Sequence, residues 1–130
     1  MSLPQAPATR AEYSPPADLA RSPGAKLYER ECASCHGDVG EGAPGAYPTL
    51  AGNRAVTMEV PANLIRVVLS GGYLPATAGN PRPYGMPPFA HVLSDADIAA
   101  VVTFIRGSWG NAAKSVSQLQ VMQYRAGRGQ

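Results

Sequence analysis

The chain has 130 residues, of which 45% are hydrophobic, and its formal net charge at pH 7 is +2. This length fits one domain with a modest core, which a large buried prosthetic group would enlarge. The charged residues are spread along the sequence without a long basic run, so the composition argues against nucleic acid as a partner.

Residues 1–21 are predicted to form a Pro-rich extended tail or linker, since four prolines interrupt them and hydrophobic periodicity is weak. The opening residues lack the basic segment and apolar segment of an export signal, and we expect that signal to have been removed or replaced. No run of about 18 apolar residues occurs in the sequence, which predicts no transmembrane segment. We assign a domain to residues 22–130, with its core in 22–110 and an extension over 111–130.

The first strong helix signal begins at Ser22. Ser22 can cap a helix, and Pro23 suits the first helical position. Gly24 and Tyr28 then fall near one face of this helix, together with the cysteines Cys32 and Cys35. We expect this helix to deliver those cysteines.

The decisive motif is Cys32-Ala33-Ser34-Cys35-His36, whose C-x-x-C-H spacing is typical of a site for covalent attachment of a c-type haem. Residues i, i+3 and i+4 share a helix face, so one short turn can offer two thiols to the vinyl groups of a haem and an imidazole to its iron. His36 would be the proximal ligand. Its other ring nitrogen then needs a hydrogen-bond acceptor, which fixes the ring and raises its basicity.

Three other interpretations of the motif are weaker. A structural zinc site usually needs four Cys or His ligands, and the chain has only Cys32, Cys35, His36 and His91, with His36 directly beside Cys35. A thioredoxin-like pair would lie near a βαβ pattern, which is not visible in the sequence. A disulfide across so short a loop would constrain the unfolded chain little.

A second helix is predicted between two loops rich in Gly and Pro. The first loop spans residues 37–60, as expected for a segment that lies close against a flat cofactor. The helix begins at Pro61 and ends at Gly71-Gly72, because glycine can take the left-handed conformation at a helix end. Its apolar residues are interpreted as core: Leu64, Ile65, Val68 and Leu69.

The second loop, residues 73–93, contains Met86. A thioether opposite His36 would give a six-coordinate iron, and His/Met ligation raises the reduction potential relative to more basic ligand pairs. Met86 is the candidate because it alone among the methionines lies in a Pro-rich loop that could hold sulfur rigidly. His91 is the second choice and an open sixth position the third, in which case Met86 would only fill a gap in the core.

The clearest amphipathic helix is predicted to begin at Ser94, which forms an acidic variant of the capping box with Asp97. Apolar residues follow with helical spacing at Ile98, Val101, Val102, Ile105 and Trp109. After Gly110, a short helix around residues 116–122 is predicted to pack outside the main core. No strand and no internal repeat is predicted.

From about Pro23 to Gly110 the chain resembles the class I cytochrome c family. The matching features follow one another in order: Gly24, Tyr28, the motif at 32–36, residues 47–53, residues 85–89 and the helix after Ser94. The stretches 86–89, 93–98 and 108–111 look like the haem domains of bacterial cytochrome subunits that serve quinoprotein alcohol dehydrogenases and gluconate dehydrogenases. The resemblance implies an all-α class I cytochrome c fold, with three to five helices and long loops around one covalent haem c.

The iron and thioether positions of that family can be carried over to this chain. Cys32 and Cys35 match the thioether positions, His36 matches the proximal ligand and Met86 the distal ligand. No residue is assigned a catalytic role.

The resemblance also implies a haem environment. Pro48 matches the proline whose carbonyl accepts the hydrogen bond from the proximal histidine. Leu50 would pack against the haem, and Arg54 and Arg66 are candidate partners of its propionates.

Together these features predict an electron carrier rather than an enzyme, one that moves a single electron between periplasmic or membrane-bound partners. It would act as acceptor or relay for a dehydrogenase, with a terminal oxidase or another cytochrome as a further partner. The alternative is a haem enzyme or gas sensor with an open or labile sixth position. The dehydrogenase subunits carry three haem motifs and this chain has one, so we expect a free carrier or one domain of a larger chain. The family's haem is attached outside the bacterial cytoplasmic membrane, which implies a periplasmic location.

Overall fold

The computed structural model describes residues 14–43, 47–71 and 86–125. These ranges contain seven helices and no β-strand, so the predicted all-α fold is confirmed. The helices are α1 (Ala17–Ala20), α2 (Pro23–Glu31), α3 (Ala33–His36), α4 (Arg54–Thr57), α5 (Ala62–Ser70), α6 (Asp95–Gly107) and α7 (Gln118–Arg125). Their number exceeds the three to five expected, because three of them are four-residue turns too short to show periodicity. None of the helices in the described ranges combines the length and apolar character that a membrane span requires.

Helix α6 begins at the predicted capping box. The Ser94 hydroxyl accepts a hydrogen bond from Asp97 N at 3.1 Å, and the Asp97 carboxylate accepts one from Ser94 N at 3.4 Å. These bonds give partners to two backbone donors at the start of the helix. The predicted apolar stripe of α6 is buried, namely Ile98, Val101, Val102 and Ile105.

Helix α2 crosses α6 at Gly24. A Cβ atom on Gly24 would lie 2.2 Å from the carbonyl oxygen of Ala100, so glycine is what lets the two backbones approach this closely. Beside the crossing, the rings of Tyr28, Phe104 and Trp109 pack with centroids 4.8 to 5.5 Å apart. This aromatic cluster fixes α2 against α6.

Trp109 reaches the cluster from outside the helix. The sequence pattern placed it on the stripe of α6, but α6 ends at Gly107 and Trp109 has a φ of 55°. Left-handed backbone is unfavourable for a bulky residue, and burial of the indole between two aromatic rings offsets that cost. The predicted core position is therefore right, whereas the predicted helical position is wrong.

The cysteine motif forms a turn of its own. Helix α2 ends at Glu31, and Cys32, with a φ of −121°, separates it from α3. The backbone N–H groups of Cys35 and His36 both donate to the Cys32 carbonyl, at 3.2 and 2.9 Å. The prediction that one turn groups the three residues holds, but that turn is not the end of α2.

Helix α5 lies close to its predicted bounds. Pro61 precedes it, and Gly71 ends it with a φ of 74°, as the left-handed helix end requires. Gly72 and most of the predicted second loop belong to residues 72–85, outside the described residues. The predicted first loop contains α4, capped by Asn53, whose side chain accepts a hydrogen bond from Ala55 N at 2.9 Å.

The last described helix packs more closely on the fold than the sequence indicated. Helix α7 packs against α5 and α6, and its Val121 is completely buried, so the prediction that this helix packs outside the core is wrong. Residues 1–13 of the predicted tail lie outside the described residues. Within residues 14–21, α1 forms and its Leu19 packs near Gly107.

We expect Gly24→Ala to destabilise the fold by about 1–3 kcal/mol, because the added methyl group forces α2 and α6 apart. Denaturant unfolding with a fixed spectroscopic probe measures the change. Gly107→Ala is the matched control: its Cβ would meet only the flexible end of Leu19, at 2.6 Å, and its effect should be much smaller. Equal effects of the two substitutions would contradict the close crossing.

Candidate haem site

An apolar cavity of about 170 Å³ lies between the motif turn, α5 and α6. Its walls come from five separate segments of the chain. The lining residues are Cys32, His36, Pro48, Leu50, Asn53, Ala55, Val56, Asn63, Leu64, Val67, Val68, Met86, Phe89, Leu93, Val101 and Ile105. A planar apolar cofactor is the kind of ligand that such walls accommodate.

His36 is buried at the end of α3 and is oriented by the following loop. Its Nδ1 lies 3.0 Å from the carbonyl oxygen of Pro48. Because a carbonyl can only accept, Nδ1 carries the proton and donates it, which leaves the lone pair of Nε2 free for a metal. The arrangement matches the hydrogen bond that a ligating histidine needs on its other nitrogen.

Gly42 lets the Pro48 carbonyl come into position. Gly42 N donates to the carbonyl oxygen of His36 at 2.7 Å, and its φ is 68°. A Cβ atom there would lie 2.7 Å from the Pro48 oxygen. The loop therefore closes on the histidine at a position that only glycine fits.

The two cysteines differ in their place at the site. Both cysteines are partly buried and are not joined in a disulfide, and of the two only Cys32 lines the cavity. Burial raises the pKa of the Cys32 thiol to about 12, with smaller contributions from Glu31 and Cys35. A redox-active thiol would have a lowered pKa, so this environment does not favour the thioredoxin-like interpretation.

The zinc interpretation also loses support. Among the residues that the structure describes, no group of three His, Cys, Asp or Glu side chains is close enough to hold a metal ion. The second histidine, His91, is exposed and does not line the cavity.

Met86 lines the same cavity as His36 and is partly buried. The chain that follows it is fastened to the end of α5, since Phe89 N and Ala90 N donate to the carbonyls of Val68 and Leu69, each at 3.0 Å. At Gly71, a Cβ atom would lie 2.4 Å from the Met86 carbonyl oxygen, so the two segments pass in close contact. The structure thus brings the predicted distal ligand to the cavity and leaves His91 outside it.

Of the other residues predicted to surround the haem, Leu50 lies at the cavity and the two arginines do not. Leu50 is buried and lines the cavity. Arg54 is exposed at the start of α4, and the Arg66 guanidinium lies 5.2 Å from the ring centroid of Tyr124. Neither arginine is among the lining residues, and their contact with haem propionates stays a prediction.

Sequence reasoning missed Arg106, which is 1% exposed. Its Nε donates to the Lys114 carbonyl at 2.9 Å, and its Nη1 donates to the carbonyls of Val56 and Met58 at 2.9 and 2.7 Å. Burial lowers the pKa of Arg106, but a guanidinium stays protonated in proteins. One signal was available, because Arg106 follows Val102 by four residues and so falls on the apolar stripe of α6.

Sequence reasoning also missed Asn111. Its Nδ2 donates to the carbonyls of Leu50 and Ile105 at 3.0 and 2.9 Å, and its Oδ1 accepts from Gly52 N at 2.8 Å. Leu50 and Ile105 both line the cavity. Asn111 therefore joins the loop wall to the α6 wall, and no periodic pattern marks a residue that acts through backbone groups.

These features fit a haem attached to the motif. The cavity is apolar, the histidine presents Nε2, a thioether lies at the same cavity, and Cys32 forms part of its wall. A family model described as Cytochrome c matches residues 22–109.

The chain belongs to the cytochrome c family. Membership implies a covalently attached haem c and supports electron transfer as the role of the domain. It also agrees with the helical fold and with the resemblance found in the sequence.

Several relatives are cytochrome subunits of dehydrogenases. The chain is 40% identical over 121 residues to the cytochrome c subunit of the quinone alcohol dehydrogenase of Gluconacetobacter polyoxogenes, covering 86% of this chain and 26% of that subunit. It is 43% identical over 93 residues to the gluconate 2-dehydrogenase cytochrome c subunit of Pantoea cypripedii, covering 71% and 21%. It is also 37% identical over 99 residues to a cytochrome c-552 of Thermus thermophilus, covering 74% and 66%. The chain thus spans about a quarter of the length of the dehydrogenase subunits it matches.

We expect Arg106→Met to destabilise the protein by several kcal/mol, because each buried carbonyl left without a donor costs about 1–3 kcal/mol. Denaturant unfolding of the haem-loaded protein measures the loss. Arg30→Met is the control, since that side chain is 64% exposed and pairs only with Glu31 in the described contacts. If both variants unfold at the same denaturant concentration, the Arg106 hydrogen bonds contribute little.

Proposed function

We propose that the chain is a single-haem c-type cytochrome that carries one electron between redox partners. The observation that carries this proposal is the pairing of His36, oriented by the Pro48 carbonyl, with Met86 at one apolar cavity. In this proposal Cys32 and Cys35 form the thioethers, His36 is the proximal iron ligand and Met86 the distal one.

The haem supplies a one-electron couple between ferrous and ferric iron. The chain's own residues would contribute in two ways. His36 and Met86 would bind the iron and so keep small molecules off it. The apolar walls exclude water, and a dry environment with a His/Met pair favours a raised reduction potential.

The partner and the location are the finer parts of the proposal. The relatives named as dehydrogenase cytochrome subunits support a dehydrogenase as electron donor, with this domain as acceptor or relay. A terminal oxidase or another cytochrome would receive the electron. The periplasm is the proposed compartment, because the covalent haem of this family is attached outside the bacterial cytoplasmic membrane.

Expression in a host that matures c-type cytochromes tests the cofactor and the function together. We expect a pigment that stays with the polypeptide in acidified organic solvent, a single one-electron redox transition and a sulfur-to-iron charge-transfer band at the red end of the visible spectrum. A colourless protein, or a pigment that is extracted, would refute the covalent haem. Rapid binding of carbon monoxide to the reduced protein would favour the enzyme or gas-sensor alternative.

Met86→Ala should remove the charge-transfer band, lower the midpoint potential and let added ligands bind the iron. The fall follows from the loss of the thioether, because axial ligands set haem potentials over a range of about 0.8 V. Met58→Ala is the matched control, since Met58 is exposed and does not line the cavity. An unchanged spectrum in Met86→Ala would exclude this residue as the ligand.

A further inference from the structure

Helix α7 lies beyond residues 22–109, which the family model matches, yet it contacts the part of the chain that carries Met86. The contact is made by Arg125, in the last turn of α7. Its Nη2 donates to the Leu93 carbonyl at 3.0 Å, its Nη1 donates to the Ala90 carbonyl, and its Nε pairs with the Asp95 carboxylate. A single planar guanidinium therefore binds three points on one short stretch of chain.

Arg125 binds residues 90–95, which continue the segment of chain that begins at Met86. Ala90 is held on both sides, since its N–H donates to the Leu69 carbonyl at 3.0 Å and its own carbonyl accepts from Arg125. Residues 89–93 also form a tight turn, in which Val92 N and Leu93 N donate to the Phe89 carbonyl at 3.0 and 2.9 Å. Phe89 and Leu93 both line the cavity. Movement of Met86 away from the cavity would therefore work against this anchored turn.

Helix α7, which carries Arg125, is itself packed against the rest of the fold. Its Val121 is completely buried in the core, and its Tyr124 ring lies under the Arg66 guanidinium of α5 at 5.2 Å. Helix α5 contributes Leu64, Val67 and Val68 to the cavity. Helix α7 thus joins the α5 wall to the Met86 segment.

We propose that Arg125 is a positioning residue for Met86, which fastens residues 86–93 to α7 and so keeps the methionine sulfur at the iron. The inference rests on the proposed function, in which Met86 is the distal ligand. Arg125 does not touch the cavity itself and acts through the backbone of Ala90 and Leu93.

The physical consequence concerns the equilibrium between closed and open forms of the distal side. An added ligand can bind the iron only when the sulfur has left it, so its binding reports the open population. The hydrogen bonds of Arg125 exist in the closed form, and bonds to a charged donor are the stronger kind. Removing them raises the open population without changing the iron or its ligands.

The test uses the full haem-loaded chain and imidazole as the added ligand of the oxidised protein. For Arg125→Ala we expect imidazole to bind at least about tenfold more tightly than to the parent, the change that follows from losing charge-assisted bonds in the closed form alone. The sulfur-to-iron band should weaken at elevated temperature before the protein unfolds. Arg125→Lys, which keeps the charge but not the planar fork, should give an intermediate value.

The matched control is Arg30→Ala, which also removes one arginine and one ion pair but lies on the exposed side of α2. It should leave imidazole affinity and the band at parent values. If Arg125→Ala lowers only the unfolding temperature, or behaves as Arg30→Ala does, the positioning role is refuted.

Met86→Ala separates the two proposals. If the parent lacks the sulfur-to-iron band and Met86→Ala binds imidazole as the parent does, the ligand assignment itself fails. If the parent has the band, Met86→Ala loses it and Arg125→Ala keeps parent affinity, the ligand assignment stands and only the role of Arg125 is wrong.

Discussion

The hydrogen bond from His36 Nδ1 to the Pro48 carbonyl is the interaction on which the site depends. It fixes the tautomer and turns the ring, so that Nε2 is the nitrogen left for a metal. A backbone acceptor makes this bond independent of any one side chain, but it requires the loop to close accurately. Gly42 provides the closure, because it bonds the His36 carbonyl and leaves room for the Pro48 oxygen. The short motif and the loop after it therefore form one structural unit.

Helix α6 and the residues after it connect the motif and its loop to the rest of the fold. Ile105 forms part of the cavity wall, while the neighbouring Arg106 donates to the carbonyls of Val56 and Met58 at the end of α4 and to the carbonyl of Lys114. Asn111 then joins the Leu50 wall to the end of α6. Buried polar groups stabilise a structure only when their partners are in place, and here the partners are carbonyls in the last turns of α4 and α6 and in the irregular segments beside them. Carbonyls at a helix end or in an irregular segment have no regular backbone donor, so Arg106 and Asn111 supply the donors that hold these cavity walls together.

The sequence was informative wherever chemistry or periodicity is local. The capping box at Ser94, the stripe of α6 and the motif turn follow from spacing alone, and the structure bears them out. Four-residue turns such as α4 left no period to detect. Trp109 kept its core position although its backbone is left-handed, because aromatic packing outweighed helix continuation. The contact of Arg125 with Leu93, 32 residues apart, depends on the fold as a whole, and spacing cannot reveal it.

The two proposed iron ligands are held in physically different ways. His36 lies within a motif whose cysteines would bind the haem covalently, and its orienting partner is only 12 residues away. Met86 depends on contacts with α5 and on a segment that α7 fastens from the far end of the chain. Local contacts persist when a fold loosens, whereas contacts between distant segments are lost with the packing that creates them. In the proposed function, ligand exchange on the Met86 side should therefore respond to the stability of the whole domain, whereas the His36 side should not.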